Sequence, residues 1–439
     1  MMRYHRIASN VALALASPKI IHRRASPFLP RPSLVRMSSS GGAADTGAGT
    51  TCVELTVTCS DGISLSARCW EAPPSTVASS EPNNRTKKKI LCLHGWLDNS
   101  QSFHLLAPRL AAHLQDTEIV ALDLPGHGRS SHKGKDGPPQ LLSEYCFYVS
   151  EFLDEMGWTS ESNDDTDDKI IFIGHSMGAG ISTTFAASFP DVVDSIILLE
   201  GTGPLARRCE DTTKHIRNAV GRRKRGNRTI YGDHGKGGIG DSVSDIGGGS
   251  GGGAGSKAKG VRVYSNIDDA VKVGSKAKGV RVYSNIDDAV KVRLATARLA
   301  PGKQWLSEEA ARAMVERAVV PYISTPAAQM ALSSARAAGE NVQGFTDESV
   351  CFRHDPRLQW PSLQYFTREQ VDAIFDDVQC PVCLIIGEDG WPFGSRERES
   401  VTSLLKPAHM KTLPGSHHFH ADNDTFEAVF CEVAAFLER

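Results

Sequence analysis

A serine set between two glycines is the pattern in this chain that points most directly to chemistry. The segment reads Gly174-His175-Ser176-Met177-Gly178 and lies between an apolar run and a helical pattern. Glycines allow the sharp turn from strand to helix that presents a serine hydroxyl above a sheet. A hydroxyl is a poor nucleophile until a base accepts its proton. The pattern therefore predicts nucleophilic catalysis by Ser176 and requires a histidine elsewhere.

A histidine-rich segment near the C-terminus supplies the predicted base. It reads Gly415-Ser416-His417-His418-Phe419-His420, and His417 follows the predicted strand Met410–Leu413 at loop distance. We expect His417 to take the proton from Ser176 and to return it to the leaving group. His418 and His420 are interpreted as loop or pocket-lining residues.

An acidic side chain should hold the histidine in the correct tautomer, and three residues are candidates. Asp389 follows the predicted strand Val382–Ile386 and gives the chain order serine, acid, histidine, so it is the first choice. Glu200 ends the strand next to the nucleophile strand, and its carboxylate could reach the same imidazole. The remaining possibilities are Glu388 or no acid at all.

Two backbone amides are predicted to stabilise the oxyanion that forms when the serine attacks. Met177 follows the nucleophile, and Trp96 follows another predicted strand in His94-Gly95-Trp96. Such N–H groups stabilise negative charge where it develops in the transition state. His94 is interpreted as a residue that shapes the loop.

The elements that must position these residues form an alternating pattern. After a hairpin made by residues 52–59 and 64–70, apolar strands alternate with helical segments. The predicted strands are 90–93, 119–124, 169–173, 193–199, 382–386 and 410–413, and the predicted helices are 101–114, 141–156, 178–189, 396–405 and 425–437. This order predicts an α/β fold whose mostly parallel sheet is covered by helices on both faces.

A long gap separates the strand ending at Leu199 from Cys380. Helices are predicted there over residues 287–299, 307–319, 325–338 and 368–375. A helical excursion at this point would form a cap over the active site and control substrate access.

Several motifs together resemble the α/β-hydrolase superfamily, and specifically its serine hydrolase-like proteins. They are His94-Gly95-Trp96-Leu97-Asp98-Asn99 with Ser102-Phe103, the run from Leu122 to His132, Gly201-Thr202-Gly203-Pro204 and Asp389-Gly390-Trp391-Pro392. The resemblance covers residues 51–204 and 275–439. It implies a Ser/His/acid hydrolase with an inserted helical cap and a generally unassigned substrate. Asp389 lies only two residues after Gly387, a departure from the family spacing that keeps Glu200 open.

Composition divides the chain into five segments. Residues 1–49 are a predicted leader, 50–204 and 380–439 two parts of one hydrolase core, 205–274 a flexible glycine-rich insertion and 275–379 the cap. Half of the 24 residues from Gly232 to Gly255 are glycine, and the basic run 222–225 is interpreted as part of a solvated loop. The block Gly255–Val273 is repeated without change as Gly274–Val292. We expect only the second copy to pack.

Charge and targeting signals narrow the functional class. The 439 residues carry a net charge of −2, which argues against nucleic acid as the main partner. No apolar run approaches the roughly 18 residues needed to cross a bilayer. Residues 1–44 contain seven Lys or Arg and no acid, a composition typical of an organelle transit peptide, mitochondrial rather than plastid. A disordered leader on a cytoplasmic protein, or translation from Met37, is the alternative.

The sequence thus predicts a serine hydrolase that cleaves an ester or related acyl bond of a small molecule without a cofactor or metal. C–C bond hydrolysis and lactone opening fit the same residues. The ten cysteines are interpreted as thiols rather than as a disulfide framework. The alternative function is a ligand receptor that keeps the fold but turns over slowly or not at all.

Overall fold

A nine-stranded sheet organises the chain in the computed structural model, which describes residues 34–38, 50–71, 87–114, 116–134, 141–159, 169–231, 275–277, 280–325, 329 and 346–439. In chain order the strands are β1 (Leu34–Ser38), β2 (Thr51–Thr58), β3 (Ser64–Glu71), β4 (Lys88–Leu93), β5 (Thr117–Leu122), β6 (Ile170–His175), β7 (Val193–Leu199), β8 (Ser275–Ala277), β9 (Val280–Tyr283), β10 (Val319–Pro321), β11 (Val350–Phe352), β12 (Val382–Gly387) and β13 (His409–Leu413). The large sheet has the order β1-β2-β3-β5-β4-β6-β7-β12-β13.

The large sheet is mostly parallel, as the sequence predicts. Strands β5, β4, β6, β7, β12 and β13 run parallel to one another, while β1, β2 and β3 pair antiparallel and β3 joins β5 antiparallel. Every residue of β5 and β6 is buried. Strands covered on both faces read as continuous apolar runs, which is why these strands were recognisable from sequence.

Helices cover both faces of this sheet. The helices are α1 (Leu106–His113), α2 (Leu142–Glu155), α3 (Met177–Ser188), α4 (Thr212–Tyr231), α5 (Ile286–Arg298), α6 (Glu308–Ala318), α7 (Arg368–Asp376), α8 (Ser395–Ser400) and α9 (Phe426–Leu437). On one face Phe152 of α2 and Phe185 of α3 pack into a buried cluster. On the other face Leu110 of α1 and Val433 of α9 belong to a second cluster. The predicted mostly parallel sheet with helices on both faces is confirmed.

The inserted region, residues 205–379, lies between β7 and β12. Its α5 and α6 pack through Val290 and Met314, and three of its helices match predicted segments to within about two residues. It also contains a second sheet, with the order β10-β11-β9-β8, that the sequence analysis did not predict. Strands of three or four residues show too little alternation to be recognised. The helix predicted over residues 325–338 falls almost entirely outside the described residues.

Two described segments differ from the predicted division of the chain. Residues 212–231, within the predicted flexible insertion, form α4. Lys and Arg are good helix formers, so a basic run free of proline can extend a helix. Strand β1, within the predicted leader, pairs with β2. The remaining leader residues that would carry a targeting signal lie outside the described part of the chain.

The second copy of the repeated block forms β8, β9 and the beginning of α5. Its Val282, Tyr283 and Ala289 are buried. The first copy lies outside the described residues, so its predicted lack of packing stays a prediction. Among the described helices, none is sufficiently long and apolar to cross a membrane.

Candidate active site

Ser176 lies at the sharp turn between β6 and α3. Its backbone is in a strained conformation, with φ 53° and ψ −111°. A Cβ added at Gly174 would lie 2.5 Å from the Gly178 carbonyl oxygen, and one at Gly178 would lie 2.0 Å from the Leu93 carbonyl oxygen. The two glycines of the motif are therefore required by close backbone contacts. The Ser176 amide donates to the Leu199 carbonyl at 2.9 Å, which ties the turn to β7.

Glu200 occupies the matching position at the end of the neighbouring strand. Because His175 lies opposite Leu199 in the parallel register, Ser176 and Glu200 both follow directly after paired residues. Glu200 also has positive φ, 51°. Such conformations cost about 1–3 kcal/mol each and persist where the surrounding structure fixes them. Here the Glu200 amide donates to the Ile385 carbonyl at 3.0 Å.

The Glu200 carboxylate contacts the imidazole of His417. Glu200 Oε2 lies 3.0 Å from His417 Nδ1. The backbone amide of Gly387 donates to Glu200 Oε1 at 2.6 Å, and that of Trp391 donates to Oε2 at 2.8 Å. The residue is only 2% exposed. An ionised Glu200 makes Nδ1 the protonated nitrogen of His417 and leaves Nε2 as the basic one.

Asp389, the first choice from sequence, lies elsewhere. Its carboxylate is 38% exposed and pairs with Lys303 on the surface at 3.4 Å. Its amide donates to the Gly415 carbonyl, and that of Glu388 donates to Leu413. The turn after β12 thus directs the amides of Gly387 and Trp391 toward Glu200 and its acidic side chain toward solvent. The structure brings the alternative acid, and not Asp389, to His417.

The loop that carries His417 is held by the inserted region. The His417 amide donates to Gln304 Oε1 at 2.8 Å, and Ser416 Oγ donates to the Trp305 carbonyl at 2.5 Å. On the core side, His175 Nε2 donates to the His417 carbonyl at 2.8 Å. The position of the predicted base therefore depends on both parts of the chain.

The predicted amide donors lie on two segments that contact each other. Met177 is the first residue of α3, where backbone N–H groups have no partner within the helix. A Cβ at Gly178 would meet the carbonyls of Leu93 and His94, so the segment leading to Trp96 packs on this helix end. The Trp96 indole Nε1 donates to the Leu358 carbonyl of the inserted region at 3.1 Å.

A buried ionic cluster that the sequence analysis missed lies beside the site. Asp98 is paired with Arg293 of α5, and its Oδ2 lies 3.0 Å from His418 Nε2 and 3.7 Å from His175 Nδ1. Burial alone would raise the pKa of the Asp98 carboxyl, but His418 and Arg293 hold that pKa well below its usual range. Burial lowers the pKa of His418, and it lowers that of His175 well below the usual histidine value, reinforced by the neighbouring histidines.

A second buried ionic cluster attaches α6 to the core. Arg317 Nε lies 2.8 Å from Asp123 Oδ2, and its Nη1 lies 2.7 Å from Glu54 Oε1. Burial opposes the charge on Asp123, but Arg317 and the backbone amide of Arg129 keep the pKa of that carboxyl below its usual value. No local pattern marks Arg293 or Arg317, because their partners are distant in sequence.

Comparisons with known proteins agree with this architecture. Residues 88–253 match the family described as the alpha/beta hydrolase fold. A serine hydrolase-like protein of Dictyostelium discoideum is 26% identical over 382 residues, which cover 84% of this chain and 78% of that protein. A serine hydrolase-like protein of Danio rerio is 25% identical over 360 residues, which cover 80% and 82%.

Solved structures give the same fold. A hypothetical protein from Pseudomonas aeruginosa PAO1 superposes with a TM-score of 0.60 at 24% identity, covering 88% of this chain and 99% of that one. The thioesterase domain from the curacin biosynthetic pathway has a TM-score of 0.52 at 18% identity, covering 88% and 98%. The match to the family model and to the two serine hydrolase-like relatives confirms the resemblance stated from the sequence motifs.

Proposed function

We propose that this chain, which has the α/β-hydrolase fold and is similar to serine hydrolase-like proteins, cleaves an ester or related acyl bond through an acyl–Ser176 intermediate. The observation that carries the proposal is the contact between Glu200 and His417 at 3.0 Å, beside the strained turn that carries Ser176. A nucleophile, a base and an acid that orients the base are the parts of such a site.

The reaction begins with attack of Ser176 Oγ on the carbonyl carbon. His417 Nε2 accepts the hydroxyl proton as the new C–O bond forms. The amides of Met177 and Trp96 donate to the resulting oxyanion. When the tetrahedral intermediate collapses, the proton on His417 passes to the departing alkoxide, and an alcohol leaves.

The second half of the reaction regenerates the serine. Water attacks the acyl carbon of acyl–Ser176 while His417 removes one of its protons. Collapse of the second tetrahedral intermediate returns that proton to Ser176 Oγ and releases the carboxylic acid. Throughout, we assign Glu200 the role of stabilising the imidazolium and fixing its tautomer.

We further propose that the inserted region acts as a cap over a small-molecule site. Leu358 accepts the hydrogen bond of the Trp96 indole, and Gln304 accepts that of the His417 amide. The Trp391 ring lies 6.0 Å from the His417 ring, centroid to centroid. Aromatic side chains beside the base favour an acyl or alcohol group with apolar surface.

An active-site probe tests the proposal. Wild-type protein should be labelled by a fluorophosphonate and should hydrolyse short p-nitrophenyl esters. Ser176→Ala should lose both labelling and ester hydrolysis. Ser188→Ala is the matched control and should keep both, because Ser188 lies at the far end of α3 and its hydroxyl donates to the Thr184 carbonyl.

Two results would contradict the proposal. The first is labelling that persists in Ser176→Ala. The second is a folded wild-type protein that is neither labelled nor active on any ester tried, which would favour a ligand receptor with this fold.

A further inference from the structure

A buried cluster of metal-ligating side chains lies between the segments that carry Ser176 and His417. We define the Asp98 cluster as Asp98, His175 and His418, whose nearest ligand atoms all lie within 4.8 Å of one another. His175 directly precedes Ser176, and His418 directly follows His417. None of the three side chains transfers a proton or binds the oxyanion in the proposed hydrolysis, and the contact of His175 with the His417 carbonyl explains only its Nε2.

The hydrogen bonding of His175 leaves a lone pair aimed into the cluster. Its Nε2 faces the His417 carbonyl at 2.8 Å, which makes Nε2 the protonated nitrogen. Nδ1 is therefore an acceptor, and among the described residues it has no hydrogen-bond partner although it is fully buried. Another acceptor, Asp98 Oδ2, lies 3.7 Å from it. Two facing acceptors in a buried site lack the cation or donor that would satisfy both.

His418 presents the same conflict from the other side. Its Nε2 lies 3.0 Å from Asp98 Oδ2 and 3.2 Å from Nη2 of Arg293. A single ring nitrogen cannot donate to the carboxylate and also accept from the guanidinium. If Nε2 carries its lone pair, it becomes a third acceptor around the point between Asp98 and His175.

The distances between the ligand atoms of the Asp98 cluster fit a small divalent cation. Zinc bonds to imidazole nitrogen and carboxylate oxygen are about 2.0–2.1 Å, which places tetrahedral ligand atoms about 3.3 Å apart. The distances of 3.0 Å and 3.7 Å from Asp98 Oδ2 to the two histidines bracket that value. Arg293 pairs with Oδ1, so Oδ2 is directed toward the histidines, and a hydrogen-bonded outer partner is usual for metal ligands.

We propose that Asp98 Oδ2, His175 Nδ1 and His418 Nε2 form a binding site for a zinc-type divalent transition metal. Burial favours neutral imidazole, the form that binds metals, on both histidines. The guanidinium of Arg293 opposes a further positive charge. We therefore expect a reversible, regulatory site rather than a permanently occupied structural one. A bound cation would link the nucleophile and base segments.

Calorimetric titration of the metal-free full chain with Zn²⁺ alone tests the site without any turnover. Wild-type protein should bind one Zn²⁺, and Co²⁺ should give the visible absorption of a low-coordinate nitrogen and oxygen site. Asp98→Asn and His418→Ala should weaken binding at least tenfold. His113→Ala, which removes a surface histidine paired with Glu438, should bind as wild type does.

Two further variants distinguish Zn²⁺ binding at the Asp98 cluster from binding at the other candidate metal group and from a general structural effect. Arg293→Gln removes the opposing charge and should tighten Zn²⁺ binding, an effect that a merely structural residue would not produce. Cys69→Ser disrupts the other candidate group, Cys69 with Glu71 and Glu118, and should leave binding unchanged. Circular dichroism identifies any variant that fails to fold. In that event the wild-type titration decides.

The proposal is overturned if wild-type protein has no stoichiometric Zn²⁺ site, or if Asp98→Asn and His418→Ala fold and bind Zn²⁺ as tightly as wild type. A separate consequence rests on the proposed function. Zn²⁺ bound to His175 and His418, the immediate neighbours of Ser176 and His417, would restrain both segments, so it should slow ester hydrolysis. Zn²⁺ binding without inhibition would contradict only that consequence and would still support the proposed metal site.

Discussion

The turns after β7 and after β12 both carry an acidic residue at the same edge of the sheet, yet they differ in almost every physical respect. Glu200 is buried, has positive φ and accepts hydrogen bonds from two backbone amides. Asp389 is partly exposed and pairs with Lys303. Both turns nevertheless serve one carboxylate, because the amides of Gly387 and Trp391 in the second turn bind the acid of the first.

The comparison teaches that order along the chain is a weak guide to which acid lies beside the predicted base. Asp389, which follows the expected strand, points to solvent, whereas Glu200, one strand closer to Ser176, contacts His417. What distinguishes them is burial together with donors already directed at the carboxylate oxygens. The contrast can be tested by substitutions that change either Glu200 and its contacts or Asp389 and its contacts.

Removing the charge of Glu200 should have the largest effect. Glu200→Gln should lower kcat for a p-nitrophenyl ester by about 10³–10⁴-fold, the loss expected when the orienting acid becomes an amide and the wrong tautomer is favoured. Asp389→Asn is the matched control and should stay within about twofold of wild type. A large loss in Asp389→Asn with little loss in Glu200→Gln would reverse the assignment.

A methyl group added at Gly390, in the turn after β12, should displace the carboxylate of Glu200, which follows β7. A Cβ at Gly390 would lie 2.2 Å from Glu200 Oε1 and 2.3 Å from Oε2. The carboxylate is held by two amides, so Gly390→Ala should displace it from His417 and lower kcat by about 10²-fold. Stopped-flow or steady-state ester hydrolysis measures the effect. Gly394→Ala, in the same loop with open space at its Cβ, is the control and should be active.

Removing the hydrogen bond between Gln304 of the inserted region and the His417 amide should have a smaller effect. Gln304→Ala removes the acceptor of the His417 amide, and an unpaired buried donor costs about 1–3 kcal/mol. We expect kcat to fall about tenfold, with partial recovery in Gln304→Glu, which retains an acceptor oxygen. Equal losses in both variants would show that the hydrogen bond does not position the base.

The smallest effect should come from the partner of Asp389. Lys303 is 86% exposed, and an exposed ion pair contributes at most about 1 kcal/mol. Lys303→Ala should therefore leave kcat unchanged and shift the free energy of unfolding, measured by urea denaturation, by less than about 0.5 kcal/mol. A clear loss of activity in Lys303→Ala would mean that the Asp389 side chain, and not only the amides of Gly387 and Trp391, contributes to catalysis.

Much of the fold and part of the site could be predicted from sequence. The buried parallel strands are recognisable as apolar runs, and the strand–turn–helix context of Ser176 is a local pattern. His417 is recognisable from its place before the last helix. Glu200 could be predicted only as an alternative, because the donors that favour it come from another strand.

Other features depend on tertiary structure alone. The pairing of Arg293 with Asp98 joins residues almost two hundred positions apart, and neither neighbourhood carries a signal of it. The basic run 222–225, whose charge is typical of a solvated loop, lies in α4, because Lys and Arg are also good helix formers. The second sheet is built from strands too short to show a period.

The Arg293–Asp98 pair also bears on the duplicated block. The second of two identical nineteen-residue segments, Gly255–Val273 and Gly274–Val292, forms β8, β9 and the beginning of α5, and the first has the same residues to offer for that place. The second copy is followed by Arg293, whereas the first is followed by Gly274. Docking the first copy instead would leave the buried Asp98 carboxylate without its guanidinium, at a cost of about 3–5 kcal/mol. The residues that follow the duplication, Arg293 among them, thus favour the second copy over the first at this place in the fold.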